Sequence, residues 1–524
     1  LAGPATLSRG QRVPATNPII FKDNAMQIRL TTLFLLFIAP LLAQQNWCGL
    51  TAEDARQLSL EFHQVREDMR GFVHTRSAVT YVPVRYHLVA KSDGTGRPSE
   101  RLALQSLCLL NESYAELDIQ FYLKEFKYLN NNAVYNNPES FSAFNTISSN
   151  MVYNAINVFI VDQIANPGVA AYYQLPSGPG GNDWIIASDN FVTDPNVLPH
   201  EVGHFFSLLH TFNGWESSGG WNPAVHGNPV GAISPDGVPN EYVNASNCTT
   251  AGDYICDTPA DYMFGPDNSC VYNKNAKDPT GALLTPDVSN RMNYFDNCNE
   301  YHFSNQQIVQ INNSLFHPNR NYVRPGITPT LDAVTGPTTL THPASNQKID
   351  TYNHVVLEWN AVPGANRYLV EISNSTIGNV RYIVPSSPHV LTDLPPDQTF
   401  LWRVMPFNEY ATCANYSSQR IFKTGNIFSD TAETPLVGTR WQIDPNPARS
   451  AGAVTIRLEA SRPVEATFAL FSSTGQLMAQ TWKQVLSAGS NPLEINMDHL
   501  PTGLYYLMMQ SEGNRETRKL IIVD

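Results

Sequence analysis

"LPHEVGHFFSLLHTF" (Leu198–Phe212) sets His200, Glu201, His204 and His210 among apolar side chains. His200 and His204 are four residues apart, so on an α-helix they stand one above the other on one face. Two imidazole nitrogens can then reach one zinc ion. Glu201, beside the first ligand, can lean over a metal-bound water as general base. Val197, Leu198, Phe205, Leu208 and Leu209 give the helix an apolar face. Pro199 is tolerated only in a first turn, so the helix is expected to begin at or just after Asp194-Pro195. His210 lies too far along to share the face and joins the site only if the helix ends near Ser207 and the chain turns back. Three protein ligands with the fourth position left to water is the catalytic arrangement of zinc. Chance supplies H-E-x-x-H roughly once in about seventy such sequences, and with the third histidine on the order of a few in ten thousand. A set of ordinary core histidines is therefore the weaker reading.

HEVGHFFSLLH resembles the metzincin motif HExxHxxGxxH, and "SNRMNYFDNCNEYHFSNQQ" (Ser289–Gln307) supplies a methionine turn with Met292 and Tyr294. With "AGDYICDTPAD" (Ala251–Asp261), the stretch from Tyr81 to Phe316 resembles the pappalysin branch of secreted metalloproteases. That resemblance implies that Met292 packs beneath the imidazoles without binding zinc. It implies that Tyr294 donates to the oxyanion of the tetrahedral intermediate, plain packing being the alternative. It implies calcium at Asp253, Asp257 and Thr258, with Glu241 as a further ligand; the alternative is an Asx-type turn. It implies interleaved bridges Cys248–Cys270 and Cys256–Cys298. It also sets Asp296 beside the pocket that takes the residue after the scissile bond, where a carboxylate would favour Arg or Lys. Ser207 departs from the pattern. Most metzincins have glycine there, which lets a helix stop in a left-handed conformation without steric cost.

The chain has 524 residues, enough for three or four domains, and a net charge of −13 without a basic stripe, which argues against nucleic acid as the main partner. "MQIRLTTLFLLFIAPLLAQQ" (Met26–Gln45) has one Arg, an apolar run from Leu33 to Leu42 and then Ala43. It reads as a signal peptide over 26–43, too short for a membrane span, with 1–25 as a gene-model extension or leader. A pro-segment over 44–76 follows, helix-prone from Ala52 to Met69. "AVTYVPVRYHLV", "DIQFYLKEF", "NAINVFIVD" and "NDWIIASDNF" read as strands, and "SERLALQSLCLLNESYAEL" and "SNQQIVQINNSLF" as helices. With the zinc helix they make a mixed α/β domain over 77–322, whose fourth strand is placed by the resemblance along the substrate cleft.

After the linker "VRPGITPTLD" (Val323–Asp332) only strands follow. Residues 333–425 resemble a fibronectin type III domain, with Trp359, Tyr368, Leu394 and Trp402 as core; the alternative is a generic β-sandwich. Residues 436–524 resemble the C-terminal sorting domain of the bacterial type IX secretion system, through Asn446-Pro447, Gly475, Gly503-Leu504-Tyr505 and Lys519. By that resemblance the domain is an export signal that engages the secretion machinery; the alternative is an adhesion sandwich. The fold class is thus multidomain: an α/β metzincin domain followed by two all-β sandwiches.

Export permits disulfides among the seven cysteines. If Cys248, Cys256, Cys270 and Cys298 pair together, Cys48, Cys108 and Cys413 remain, and Cys413 lies in another domain. Cys48, in "NWCGL", precedes a glycine as in cysteine switches, and its thiolate could fill the fourth zinc position until the segment is cut near Arg70 or Arg76. Two alternatives stand beside it: a Cys48–Cys108 disulfide, or Asp54 as a weaker switch, with Cys108 a buried free thiol in an apolar helix. The function read from these features is a secreted zinc endopeptidase, made as a zymogen, acting on proteins or peptides. Its rivals are a decayed binding protein that keeps a zinc site, and a zinc enzyme whose third ligand is a downstream glutamate. Glu216, in a Gly-rich loop, is poorly placed for that last role.

Overall fold

The computed structural model describes residues 48–523 apart from 73–77, 165–167, 177–182, 266–268, 393, 428–438, 451, 461, 474, 479–480, 497–499 and 512–513. The signal-peptide reading over 26–43 and the cleavage position at Arg76 lie outside the described residues.

The stretch read above as a pro-segment contains helix α1 (Ala52–Asp68), started by a Thr51–Asp54 capping box. Asp54 is consumed by that cap, which removes it as a switch. Ala55, Leu58, Phe62 and Val65 recur at helical spacing and are buried. The strands β1 (Thr80–Ala90), β2 (Ile119–Asn130), β3 (Ile156–Val161), β4 (Ala171–Gln174) and β5 (Trp184–Ser188) form one sheet in the order β2-β1-β3-β5-β4. All neighbours are parallel except β4, which runs antiparallel to β5. Parallel strands are covered on both faces, and here alternate residues enter two cores. Val84, Tyr86, Leu88, Val158 and Ile160 join the one shared with α2 (Glu100–Tyr114). Val89, Phe159, Val161 and Ile186 join the one shared with α3 (Asn132–Asn136) and α4 (Phe141–Asn150).

The sheet edge differs from the expectation. "NDWIIASDNF" becomes β5, inside the sheet, and the edge is β4, a four-residue strand too short to give a periodic signal. The helices α5 (Val197–Phe205), α6 (Pro223–His226) and α7 (Asn305–Phe316) follow, and α1 packs against α7.

Residues 340–423 form sheets of five and three strands, and Trp359, Tyr368, Leu394 and Trp402 are all buried between them. Residues 439–523 form sheets of three and five strands with a separate core. There Asn446 accepts from the Ile521 amide and donates to the Lys519 carbonyl, tying the first strands to the last. The loop around Glu409 and Tyr410 covers the other edge of the α/β sheet. The Leu123 amide donates to the Glu409 carbonyl at 2.8 Å, and Tyr410 packs on Tyr81 and Tyr122.

The cysteine pairing corrects two expectations. The bridges are Cys248–Cys256, Cys270–Cys298 and Cys108–Cys413. The first two close local loops, with separations of 8 and 28 residues, instead of interleaving. The third spans 305 residues and staples α2 to the first β-sandwich, so Cys108 is neither a buried free thiol nor the partner of Cys48. Counting cysteines domain by domain failed because docking of the sandwich brings the two Cα atoms to 5.1 Å.

Candidate metal centre and active site

α5 begins where the His200 amide donates to the Asn196 carbonyl, which leaves Pro199 in the first turn as expected. It ends in a reversal. Ser207 has φ +67°, and the Leu208 amide reaches back to the Gly203 carbonyl at 3.0 Å. The chain then returns, and the Thr211 amide donates to the Met292 carbonyl.

That turn brings the three histidines together. His204 Nε2 lies 3.1 Å from His200 Nε2 and 3.2 Å from His210 Nε2. Each Nδ1 is engaged elsewhere: His200 with the Arg291 carbonyl at 2.6 Å, His204 with the Leu208 carbonyl at 2.8 Å, His210 with Glu216 Oε1 at 3.2 Å. Carbonyl oxygens only accept, so Nδ1 of His200 and His204 carries the proton and each Nε2 presents a lone pair. All three rings are fully buried. Burial pushes His200 and His210 down to about 3, and His204 well down with added repulsion from the other two. Converging neutral acceptors with no proton to share call for a cation.

Cys48 supplies a fourth donor, with Sγ 3.6 Å from His204 Nε2, and it is 2 % exposed. The four side chains form one ligand cluster. Tetrahedral zinc, with arms of about 2.0–2.1 Å to nitrogen and about 2.3 Å to sulfur, would set nitrogens roughly 3.3 Å apart and nitrogen–sulfur pairs roughly 3.6 Å apart. The donor set and its spacing fit such an ion.

Glu201 is buried beside the cluster. Burial raises its carboxyl to about 8, partly offset by the Cys48 thiol and the Tyr173 amide, and Oε2 makes no well-formed hydrogen bond. Tyr294 packs its ring 4.9 Å from that of His210 and donates through its hydroxyl to the Cys48 carbonyl at 3.2 Å. Met292 is fully buried under α5, where it fills the space a side chain on Gly203 would need. Next to Cys48, the Gly49 amide donates to the Ala171 carbonyl at 2.8 Å, so the chain at Cys48-Gly49 lies along the outer edge of β4.

Glu216 was missed as a functional residue. It is no ligand, but its buried carboxyl holds His210 Nδ1 and accepts from the Gly214 amide. No periodicity points to it, since it acts from a loop; the one available signal was an acidic residue shortly after the third histidine. Asp253, Asp257 and Thr258 are not brought to one point. Thr258 Oγ1 donates to Asp253, and the Ile255 amide caps the same carboxylate, as in an Asx turn. Asp257 instead receives Ser304 Oγ and the Gln306 amide at the start of α7. Asp296 is half-buried and accepts from the Asn297 amide. Burial, with the Asp296 charge nearby, raises the Asp194 carboxyl.

Residues 442–523 match the secretion system C-terminal sorting domain. The chain is exported by the bacterial type IX route. Among the described residues no helix is long and apolar enough to cross a membrane. The chain is similar to an extracellular metalloprotease of Neurospora crassa, 24% identical over 251 residues, which are 45% of this chain and 75% of the relative. It is similar to another from Sordaria macrospora, 26% identical over 248 residues, covering 44% and 73%. The fibronectin(III)-like modules of Clostridium thermocellum CbhA align with 35% of this chain and 93% of that chain, at 7% identity and a TM-score of 0.14. The likeness to metalloproteases implies a bound metal, and the His/Cys cluster is where the described residues offer one.

Proposed function

We propose that this chain is a secreted zinc endopeptidase of the pappalysin branch of the metzincins, made in a latent form. The reading is carried by one observation: three neutral histidines and the Cys48 thiol converge beside a buried carboxylate, with spacings that fit a tetrahedral ion. In this reading His200, His204 and His210 hold zinc and Cys48 holds it only before activation. When bound, zinc would supply Lewis acidity, polarising a carbonyl and lowering the pKa of water.

The residues of the chain do the rest. With the pro-segment gone, the amide and carbonyl groups of β4 are open to an extended peptide, which can add to the sheet as Gly49 does now. Tyr294, which donates to the Cys48 carbonyl, would donate to the oxygen of the scissile carbonyl as negative charge grows on it. Glu201, buried beside the cluster, would take a proton from the attacking water as a carboxylate and pass it to the leaving amide nitrogen. Glu216 keeps His210 in the right tautomer.

Latency follows from Cys48: its thiol occupies the cluster while its carbonyl occupies Tyr294. A preference for Arg or Lys after the scissile bond rests on Asp296 together with Asp194. Calcium, if bound, is better served by Asp253 with Glu241, whose Oε1 is buried without a partner, than by Asp257. The β-sandwich over 333–425 is read as a fibronectin type III domain.

The test uses the full chain. Glu201→Gln should retain stoichiometric zinc and lose peptide cleavage, and Cys48→Ala should cleave more than the unprocessed parent. Unimpaired cleavage by Glu201→Gln would sink the mechanism, and full cleavage by the unprocessed chain with Cys48 in place would sink the latency.

A further inference from the structure

Three residues after His204 the chain leaves α5 through Ser207, at φ +67°. Side chains are disfavoured in this region and glycine is not. The serine is fully buried, and its hydroxyl is occupied: Oγ donates to Glu61 Oε1 at 3.1 Å and lies 3.0 Å from Ser314 Oγ on α7. Glu61 stands on α1, in the pro-segment, thirteen residues beyond Cys48. The same Oε1 accepts from Arg320 Nη2 at 3.0 Å. Arg320 is itself buried. It lies over the Phe205 ring of α5 at 4.1 Å and is ion-paired to Asp183, with Tyr173 and Tyr322 as further partners.

Together these groups receive one carboxylate, that of Glu61. Without α1, Arg320 keeps Asp183 and Ser207 keeps Ser314, so the groups around Glu61 remain partnered. The other polar side chains that α1 sends to the body sit at exposed positions: Gln57 reaches the Pro176 carbonyl, Arg66 the Tyr254 carbonyl and Asp68 the buried His317 ring. Glu61 alone bridges a buried hydroxyl and a buried guanidinium.

We propose that the face formed by Ser207, Arg320 and α7 is a docking surface for α1, and that Glu61 is a second lock on latency, separate from Cys48. The inhibitory sense of the lock rests on the latency reading above; the docking itself does not. Two locks have a consequence. Loss of the metal, or withdrawal of Cys48 from the cluster, leaves α1 seated, because Glu61 holds it from the far side of the turn that ends α5.

Amide hydrogen exchange on the intact chain tests this without any activity measurement. Both key variants should fold: Glu61→Ala puts the best helix former on α1, and Ser207→Gly suits a positive φ. Each should speed exchange of the α1 amides by about tenfold or more, the worth of a hydrogen bond to a charged group. Exchange in β1 to β5 should stay the same. In the double variant the two effects should not add, because Glu61→Ala already removes the contact that Ser207→Gly breaks. Leu60→Ala, at a position 70% exposed on the same helix, should change nothing. The Glu61→Ala effect should persist when a chelator strips the metal. The proposal is overturned if α1 exchange in Glu61→Ala stays within about twofold of the parent, if the effects add, or if they vanish on chelation. Should the protease reading fail instead, through Glu201→Gln, these exchange results would be unaffected.

Discussion

Gly203 sits on α5 between the two histidines of its face, and replacing it with alanine sets two effects against each other. An alanine favours the helix by about 0.8–1.0 kcal/mol over glycine. Its methyl, however, would stand 2.6 Å from Met292 Sδ and 3.3 Å from Cε. Comfortable separations are roughly 3.5–4.0 Å, so the sulfur must retreat by about an ångström. The thioether is flexible, but its room is small. Met292 is fully buried, its amide is held by Asn290 Oδ1 at 2.9 Å, and its carbonyl by the Thr211 amide at 3.0 Å. Overpacking such a core costs typically about 1–3 kcal/mol. The clash therefore wins, and Gly203→Ala should lose up to about 2 kcal/mol net. At about 2–4 °C per kcal/mol for a unit of this size, calorimetry should show a fall of up to roughly 8 °C. The same displacement strains the Arg291 carbonyl, the neighbour of Met292 that fixes His200 Nδ1, so zinc affinity should fall as well. A rise of a few degrees in Tm with zinc affinity intact is what helix propensity alone would give, and it would refute the packing argument.

Glu216→Ala should weaken zinc binding about 10- to 100-fold in a chelator competition, with Glu216→Gln milder; equal affinity in both would deny Glu216 its role at His210. Glu241 should make stability depend on pH. Burial, with repulsion from Asp253, raises its carboxyl to about 9, so the folded state binds the extra proton and stability falls as pH rises from about 4.5 to about 9. Glu241→Gln should flatten that slope in thermal melts, and added calcium should raise Tm most at the alkaline end; an unchanged slope would count against both. Asp296→Ala should erase any preference for Arg or Lys after the scissile bond in a peptide-library profile, and a profile indifferent to the substitution would remove Asp296 from substrate recognition.

What was legible in the sequence is what short-range periodicity encodes. The spacing of His200 and His204 fixed their shared helical face, Pro199 the start of that helix, and the helix-prone run from Ala52 to Met69 became α1. The β-sandwich core was named through the resemblance to a fibronectin type III domain, which put Trp359, Tyr368, Leu394 and Trp402 inside, and all four are buried. β4 was not readable, because Ala171–Gln174 spans only two residues on each face. Yet this strand holds Cys48 and Gly49 beside the histidine cluster. The edge of a sheet is decided by which strands fail to find a second neighbour, and that is a property of the whole topology.

The disulfides and the carboxylates failed for a related reason. Cys108 and Cys413 meet across 305 residues because a sandwich docks on a sheet edge, and no local pattern encodes that docking. Ser207 shows how a local departure can still point to a distant cause. A side chain at φ +67° carries a cost that glycine would avoid, so its presence asks for a compensating contact. The compensation is a carboxylate 146 residues earlier, on a segment whose position only the folded chain defines. The sequence exposes the cost at Ser207, and the structure locates the partner that offsets it, which is why the second lock lies where the zinc-binding motif departs from its pattern.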